Sequence, residues 1–127
     1  MGFFDGLMGN ASEIKNEDAQ KEFGNLLIQG ERIEKSYKLI RDLFLFTNKR
    51  LILIDKQGMS GKKVEYHSIP YTSITHFAIE TAGTFDLDAE LKIWISGMDL
   101  PLTKTFNKSL NIYDVHAVLA GYILASK

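Results

Sequence analysis

Apolar positions along this chain change their period twice, and each change marks a new kind of element. From about Ser12 to Gln29, Ala19, Phe23, Leu26 and Leu27 fall at i, i+4, i+7 and i+8 with charges between them. That spacing predicts an amphipathic helix. Ser12 is its expected cap and Gly30 its expected left-handed stop. Gly24 is expected to weaken its interior by about 1 kcal/mol relative to alanine. Residues 1–11 read as an apolar arm in which Phe3, Phe4, Leu7 and Met8 are spaced by glycines.

After Gly30 the period falls to two. Glu31–Arg41 is a first strand with Ile33 and Tyr37 on one face, although Lys35 interrupts the alternation. Asp42–Thr47 and Lys49–Lys56 follow as a pair about a Thr47-Asn48 turn. Both are apolar on both faces: Leu43 and Leu45 against Phe44 and Phe46, then Leu51 and Leu53 against Ile52 and Ile54. Strands covered on two sides carry this pattern. Further strands are predicted at Lys62–Ile69, Ser73–Thr81, Leu87–Ser96 and about Leu100–Phe106. The third of these alternates cleanly, with Leu91, Ile93 and Ile95 opposite Glu90, Lys92 and Trp94. A final stripe of Ile112, Val115, Leu119, Tyr122 and Ile123 predicts a helix over 112–125, capped by Asn111 and stapled by Leu110 and Val115.

About seven antiparallel strands followed by one amphipathic helix make a mainly β, α+β chain. Such a sheet hides its apolar face by curling into two layers, with the helix plugging one end. Residues 1–29 are then an N-terminal arm and helix, and residues 30–127 the barrel domain. The arrangement resembles the pleckstrin-homology (PH) like barrel, and in detail its bacterial branch, the bacterial PH domain family. The resemblance rests on Phe46-Thr47-Asn48-Lys49-Arg50-Leu51, on Gly61-Lys62-Lys63 followed by Ser68-Ile69-Pro70-Tyr71, and on Glu80-Thr81-Ala82-Gly83 with Glu90-Leu91-Lys92-Ile93-Trp94. It implies a domain that binds headgroups, peptides or proteins without catalysis, and whose relatives assemble into rings. Lipid-binding relatives carry spaced cations in a long first hairpin. Here that hairpin is the short Lys38-Leu39-Ile40-Arg41-Asp42, and the sole tryptophan, Trp94, is on a strand. Both departures argue against specific phosphoinositide recognition.

Composition narrows the chemistry. The 127 residues carry 15 basic and 16 acidic side chains, a net charge of −1, which argues against a nucleic-acid partner. Zero cysteines exclude a disulfide scaffold, thiolate metal sites and thiol catalysis. His67, His76 and His116 are far apart and fit no ligand or nucleophile spacing, so no enzyme, cofactor or metal is expected. Asp86-Leu87-Asp88-Ala89-Glu90 places three carboxylates on one strand face, but without the loop glycine of a calcium hand it reads as a charged edge. Gly58-Met59-Ser60-Gly61-Lys62 has the ingredients of a phosphate loop but joins two strands, and reads as a turn. The first residues lack the basic region of a secretory signal, and Gly6 stands where a myristoylation signal has Ser or Thr. No apolar run nears the ~20 residues that span a bilayer. The expected setting is therefore the cytoplasm or the inner face of its membrane.

Charge is segregated along the chain. Lys35, Lys38, Arg41, Lys49, Arg50, Lys56, Lys62 and Lys63 outnumber Asp42 and Asp55, whereas Glu80, Asp86, Asp88, Glu90 and Asp99 face only Lys92. Two functions are consistent with this. In one, the basic segment meets Asp86, Asp88 and Glu90 of a second copy in a head-to-tail homo-oligomer, a ring-shaped scaffold module open to a further protein partner. Phe3, Phe4, Leu7, Phe23, Leu26 and Leu27 would touch the neighbouring subunit. In the other, the domain is a peripheral membrane adaptor, with the basic segment on anionic headgroups and the arm dipping into the interface.

Overall fold

The computed structural model describes residues 14–39, 42–57, 63–81, 88–107 and 111–125. In chain order these form α1 (Asn16–Phe23), a 3-10 turn (Gly24–Leu26), β1 (Ile33–Lys38), β2 (Asp42–Thr47), β3 (Arg50–Gln57) and β4 (Lys63–Pro70). A second 3-10 turn (Tyr71–Ser73), β5 (Ile74–Glu80), β6 (Asp88–Ile95), β7 (Leu102–Asn107) and α2 (Ile112–Ala125) follow. The strands make two sheets, β1-β2-β3-β4 and β5-β6-β7. The chain divides into compact units at residues 1–69 and 70–127, one sheet to each.

In the first unit the doubly apolar strands are buried on both faces. Leu43, Leu45, Ile52 and Ile54 form one core with Ile14, Ala19, Phe23 and Ile33, and Leu26, Leu27 and Val64 pack at its margin. On the other face Tyr37, Phe44, Phe46, Leu51 and Leu53 are also buried. Tyr37 and Phe44 each meet Phe46 edge-on, at ring distances of 6.0 and 6.2 Å. The expectation that Ile33 and Tyr37 share a face is corrected here. The register shifts between Ile33 and Lys35, so Ile33 lies opposite Thr47 while Tyr37 lies opposite Phe44. One extra residue in a strand sends the side chains beyond it to the other face.

The first helix is shorter than its apolar spacing predicts. The Ile14 amide donates to the Ser36 carbonyl at 2.9 Å and Asn16 Nδ2 donates to the Glu34 carbonyl at 2.8 Å. The chain entering α1 thus runs beside β1, and Lys15, extended at φ −64° and ψ 134°, is the N-cap, so the helix begins at Asn16; the expected cap, Ser12, lies outside the described residues. Gly24 is the C-cap of α1, not an interior residue, and Gly30 supplies a positive φ of 82° in the turn before β1. Because α1 shares a core with β2 and β3, the expected boundary at residue 29 does not separate two structural units. Burying a side chain such as Phe23 contributes about 1.5–3 kcal/mol; α1 is a part of the first unit's core.

In the second unit β6 is the central strand. Leu91 and Ile93 are fully buried, Ile95 partly so, and Glu90, Lys92 and Trp94 point the other way. α2 spans the predicted residues and packs on β5, where Phe77 and His116 meet at 5.1 Å and Tyr71 stacks on Tyr122 at 4.7 Å. Val115, Leu119 and Ile123 make its buried stripe. Asn111 Oδ1 accepts the Tyr113 amide at 3.0 Å, the cap its sequence position predicts. Leu110, the other half of the expected staple, lies outside the described residues.

Candidate interaction surfaces

The Phe46–Leu51 motif builds a hairpin tip tied to the segment before β1. Thr47 Oγ1 accepts the Lys49 and Arg50 amides at 3.0 and 2.9 Å and donates to Glu31 Oε2 at 2.6 Å. Asn48 completes the tie: its Oδ1 accepts the Arg32 amide at 2.8 Å and its Nδ2 donates to the Gly30 carbonyl at 3.0 Å. Beneath the tip, Arg50 holds Glu31 with Nε to Oε2 at 2.9 Å and Nη2 to Oε1 at 3.0 Å. It also reaches the Leu26 carbonyl and Ser68 Oγ, both at 2.8 Å. The Glu31 side chain is fully buried. Burial alone would push its carboxyl up, but bonds from Arg50, Thr47 and the Ile28 amide, with the Arg50 charge, hold it down at about 2. This buried acid was not singled out in the sequence. Its one signal there is a carboxylate directly after the glycine that stops the helix turn.

That geometry removes Arg50 from the expected basic surface, since its guanidinium is committed inside the protein. Lys38 is removed as well. It is buried, and desolvation disfavours its charged form, pushing its pKa below the ordinary lysine value. Lys35 is half-buried opposite Phe46, whereas Lys38 lies opposite Leu43, so the two occupy opposite faces of the sheet. Lys49 is exposed at the tip between β2 and β3; Lys63 is exposed at the start of β4, and Lys56 falls near the end of β3. Arg41 and Lys62 lie outside the described residues. The tip and the end of β3 are separated by most of an eight-residue strand, roughly 20 Å. The described basic residues do not form one patch.

Two of the three acidic residues do come together. Asp88 and Glu90 share the outer face of β6, with Glu80 of β5 directly opposite Glu90; Asp86 lies outside the described residues. Like charges opposed across strands are destabilising, and Lys92 Nζ, from the neighbouring row, stands 3.8 Å from Glu80 Oε2. Further along the same face His76 stacks on Trp94, ring centres 4.3 Å apart and planes within 16°. The Thr75 hydroxyl, which bonds the Trp94 carbonyl at 3.2 Å, lies 3.0 Å from His76 Nδ1 and orients the ring. Beyond Trp94, Gly97 takes a φ of 88° that a side chain would strain, and the turn leaves Met98 and Leu100 51% and 76% exposed.

The apolar N-terminal set divides too. Phe23 is buried by its own sheet and is not available to a neighbouring subunit; Leu26 and Leu27 are partly covered by the same core. Phe3, Phe4 and Leu7 lie outside the described residues. No group of three or more His, Asp or Glu placed to hold a metal occurs among the described residues. No described helix is long and apolar enough to cross a membrane.

A four-stranded and a three-stranded antiparallel sheet, preceded by one helix and followed by another, define a PH-like domain. The chain belongs to the bacterial PH domain family, whose profile matches residues 2–123. It is 58% identical over 122 residues to the uncharacterized protein YjqA of Bacillus subtilis, covering 95% of this chain and 98% of that one. Identity to YozO of the same organism is 40% over 116 residues, 91% and 98% of the two chains. Two crystal structures share the fold at a TM-score of 0.79 and 51% identity. One is a DUF1696 family protein with a pleckstrin-homology domain from Shewanella loihica, with 90% of this chain and 97% of that one covered. The other is a pleckstrin homology domain from Shewanella amazonensis, with 87% and 99% covered.

Proposed function

We propose that this domain is a non-catalytic protein-interaction module that assembles with itself, head to tail, into a ring-shaped homo-oligomer acting as a scaffold in the cytoplasm. The observation that carries this reading is the open face of the β5-β6-β7 sheet. Glu80, Asp88 and Glu90 gather at one end of that face and the His76–Trp94 stack lies at the other, while exposed Lys63 stands on another strand in the other unit. A two-fold contact through the acidic face would set like charges together. A heterologous contact sets unlike charges together, and its repetition closes into a ring or runs on as a filament, of which the closed ring suits a soluble chain. The divergence of Lys35, Lys49 and Lys63 favours this reading over a membrane adaptor, which needs its cations on one side.

Sedimentation of the whole chain across salt concentrations tests the proposal. The expected result is one species of several subunits that loosens as salt rises. Reversing charge at Asp86, Asp88 and Glu90 should dissociate it, and reversal at Lys62 and Lys63 should partly restore it. A monomer, or a dimer indifferent to salt and to these reversals, overturns it. Fractionation of cells tests the cytoplasmic setting.

A further inference from the structure

His76 is the titratable ring on the open face of the β5-β6-β7 sheet, and its surroundings decide which of its nitrogens can take a proton. The Thr75 hydroxyl has one hydrogen, which it donates to the Trp94 carbonyl at 3.2 Å. Toward His76 Nδ1, 3.0 Å away, the same oxygen can therefore only accept. Neutral His76 thus carries its hydrogen on Nδ1, and Nε2 is left as the basic nitrogen. The ring is exposed, so a proton reaches Nε2 without breaking the Thr75 bond or the stack on Trp94, 4.3 Å away.

We infer that His76 is a proton switch that regulates how this face holds a basic partner surface. A proton on Nε2 turns the stack into a cation against the indole face, a favourable arrangement, and adds positive charge to an acidic surface. The consequence for binding rests on the self-assembly reading; the proton site does not. On the described outer face three carboxylates, Glu80, Asp88 and Glu90, stand against the single ammonium of Lys92. Lys92, opposite Ala78, lies in the row next to His76 and Trp94; Glu80 and Glu90 form the row after it. β7 adds only Thr103 and Thr105 beside these rows. Asp99 lies in the turn after β6, and on the other face of β5 the titratable neighbour is His116 of α2, against Phe77. Protonated His76 therefore joins Lys92 in opposing the carboxylates, and a basic surface loses part of its attraction. Glu80 is four residues from His76, about 13 Å along the strand, so salt screens the effect in part. Histidine changes charge between about pH 5 and pH 8, a range in which lysine keeps its own.

Trp94 is the only tryptophan of the chain, and a protonated imidazole in contact with an indole quenches its emission. In the whole chain, emission should fall along one titration curve as pH is lowered from about 8 to about 5.5. His76→Gln should abolish that fall, whereas His67→Gln and His116→Gln should keep it. Nitrogen NMR of the imidazoles should show the His76 hydrogen on Nδ1 at the upper pH. Sedimentation over the same range should show the dissociation constant rising about threefold more in the unaltered chain than in His76→Gln, and less so in high salt. An emission that ignores pH, or that still titrates in His76→Gln, overturns the inference. So does an assembly whose pH response is the same in both chains. A chain that is monomeric throughout while its emission titrates overturns the self-assembly reading and leaves the proton site standing.

Discussion

In the four-stranded sheet every residue of β2, Asp42–Thr47, is buried, whereas β6 of the three-stranded sheet alternates between buried and solvent-facing residues along most of its length. The difference begins in composition. β2 and β3 bring Leu and Ile to one face and chiefly aromatic and Leu side chains to the other, and α1 covers the first of these. β6 brings Leu91 and Ile93 to one face and Glu90, Lys92 and Trp94 to the other. A sheet covered on both sides serves as a frame. A sheet with one open side can carry recognition, because its outward residues change without opening a cavity.

Substitutions sharpen that contrast, and the largest effect belongs to the frame. Phe46 is fully buried and contacts both Tyr37 and Phe44. Phe46→Ala should cost about 3–5 kcal/mol in denaturant unfolding. A loss below 1 kcal/mol would show that the second face of the sheet is not packed as described.

Next comes the buried carboxylate. Glu31 titrates near 2 in the folded chain against an ordinary 4.5. A depressed acid stabilises the fold above its unfolded value, and that stability disappears as pH falls through the folded value. The chain should therefore lose roughly 3 kcal/mol between about pH 5 and pH 2 from this group, at ~1.4 kcal/mol per unit. Glu31→Gln should flatten that part of the acid profile and lower stability at pH 7. An acid profile identical in the two proteins would refute the account of the Glu31–Arg50 pair.

Smaller effects belong to the second unit. Asn111→Ala should cost about 1 kcal/mol by removing the acceptor for the Tyr113 amide. Thr103→Ala, on the open face, should change monomer stability by less than about 0.5 kcal/mol. A larger loss at Thr103 would mean that the outer face is part of the frame after all, and the comparison between the sheets would break.

Which of these features could be read from the chain depends on the range of the interaction behind them. The strand positions, the residues of α2 and its asparagine cap were legible because period and capping are local. So was the difference between doubly apolar β2 and alternating β6. The Glu31–Arg50 pair was not legible, because 19 residues separate its members and neither is unusual alone. The His76–Trp94 stack was hidden for the same reason: it depends on the register of two strands joined through a long connection.

The charge segments show the limit most clearly. Lys35 and Lys38 look like neighbours in one basic run, but the pleat puts residues three apart on opposite sides of a sheet, and burial then takes Lys38 out of the surface. The acidic run survives because alternate residues of one regular strand keep a common face. Hydrophobic period and turn chemistry act over a few residues, so sequence by itself determined the elements and the family. Which side chains meet water is a sum over strands brought together from distant parts of the chain, and only the tertiary structure decided it.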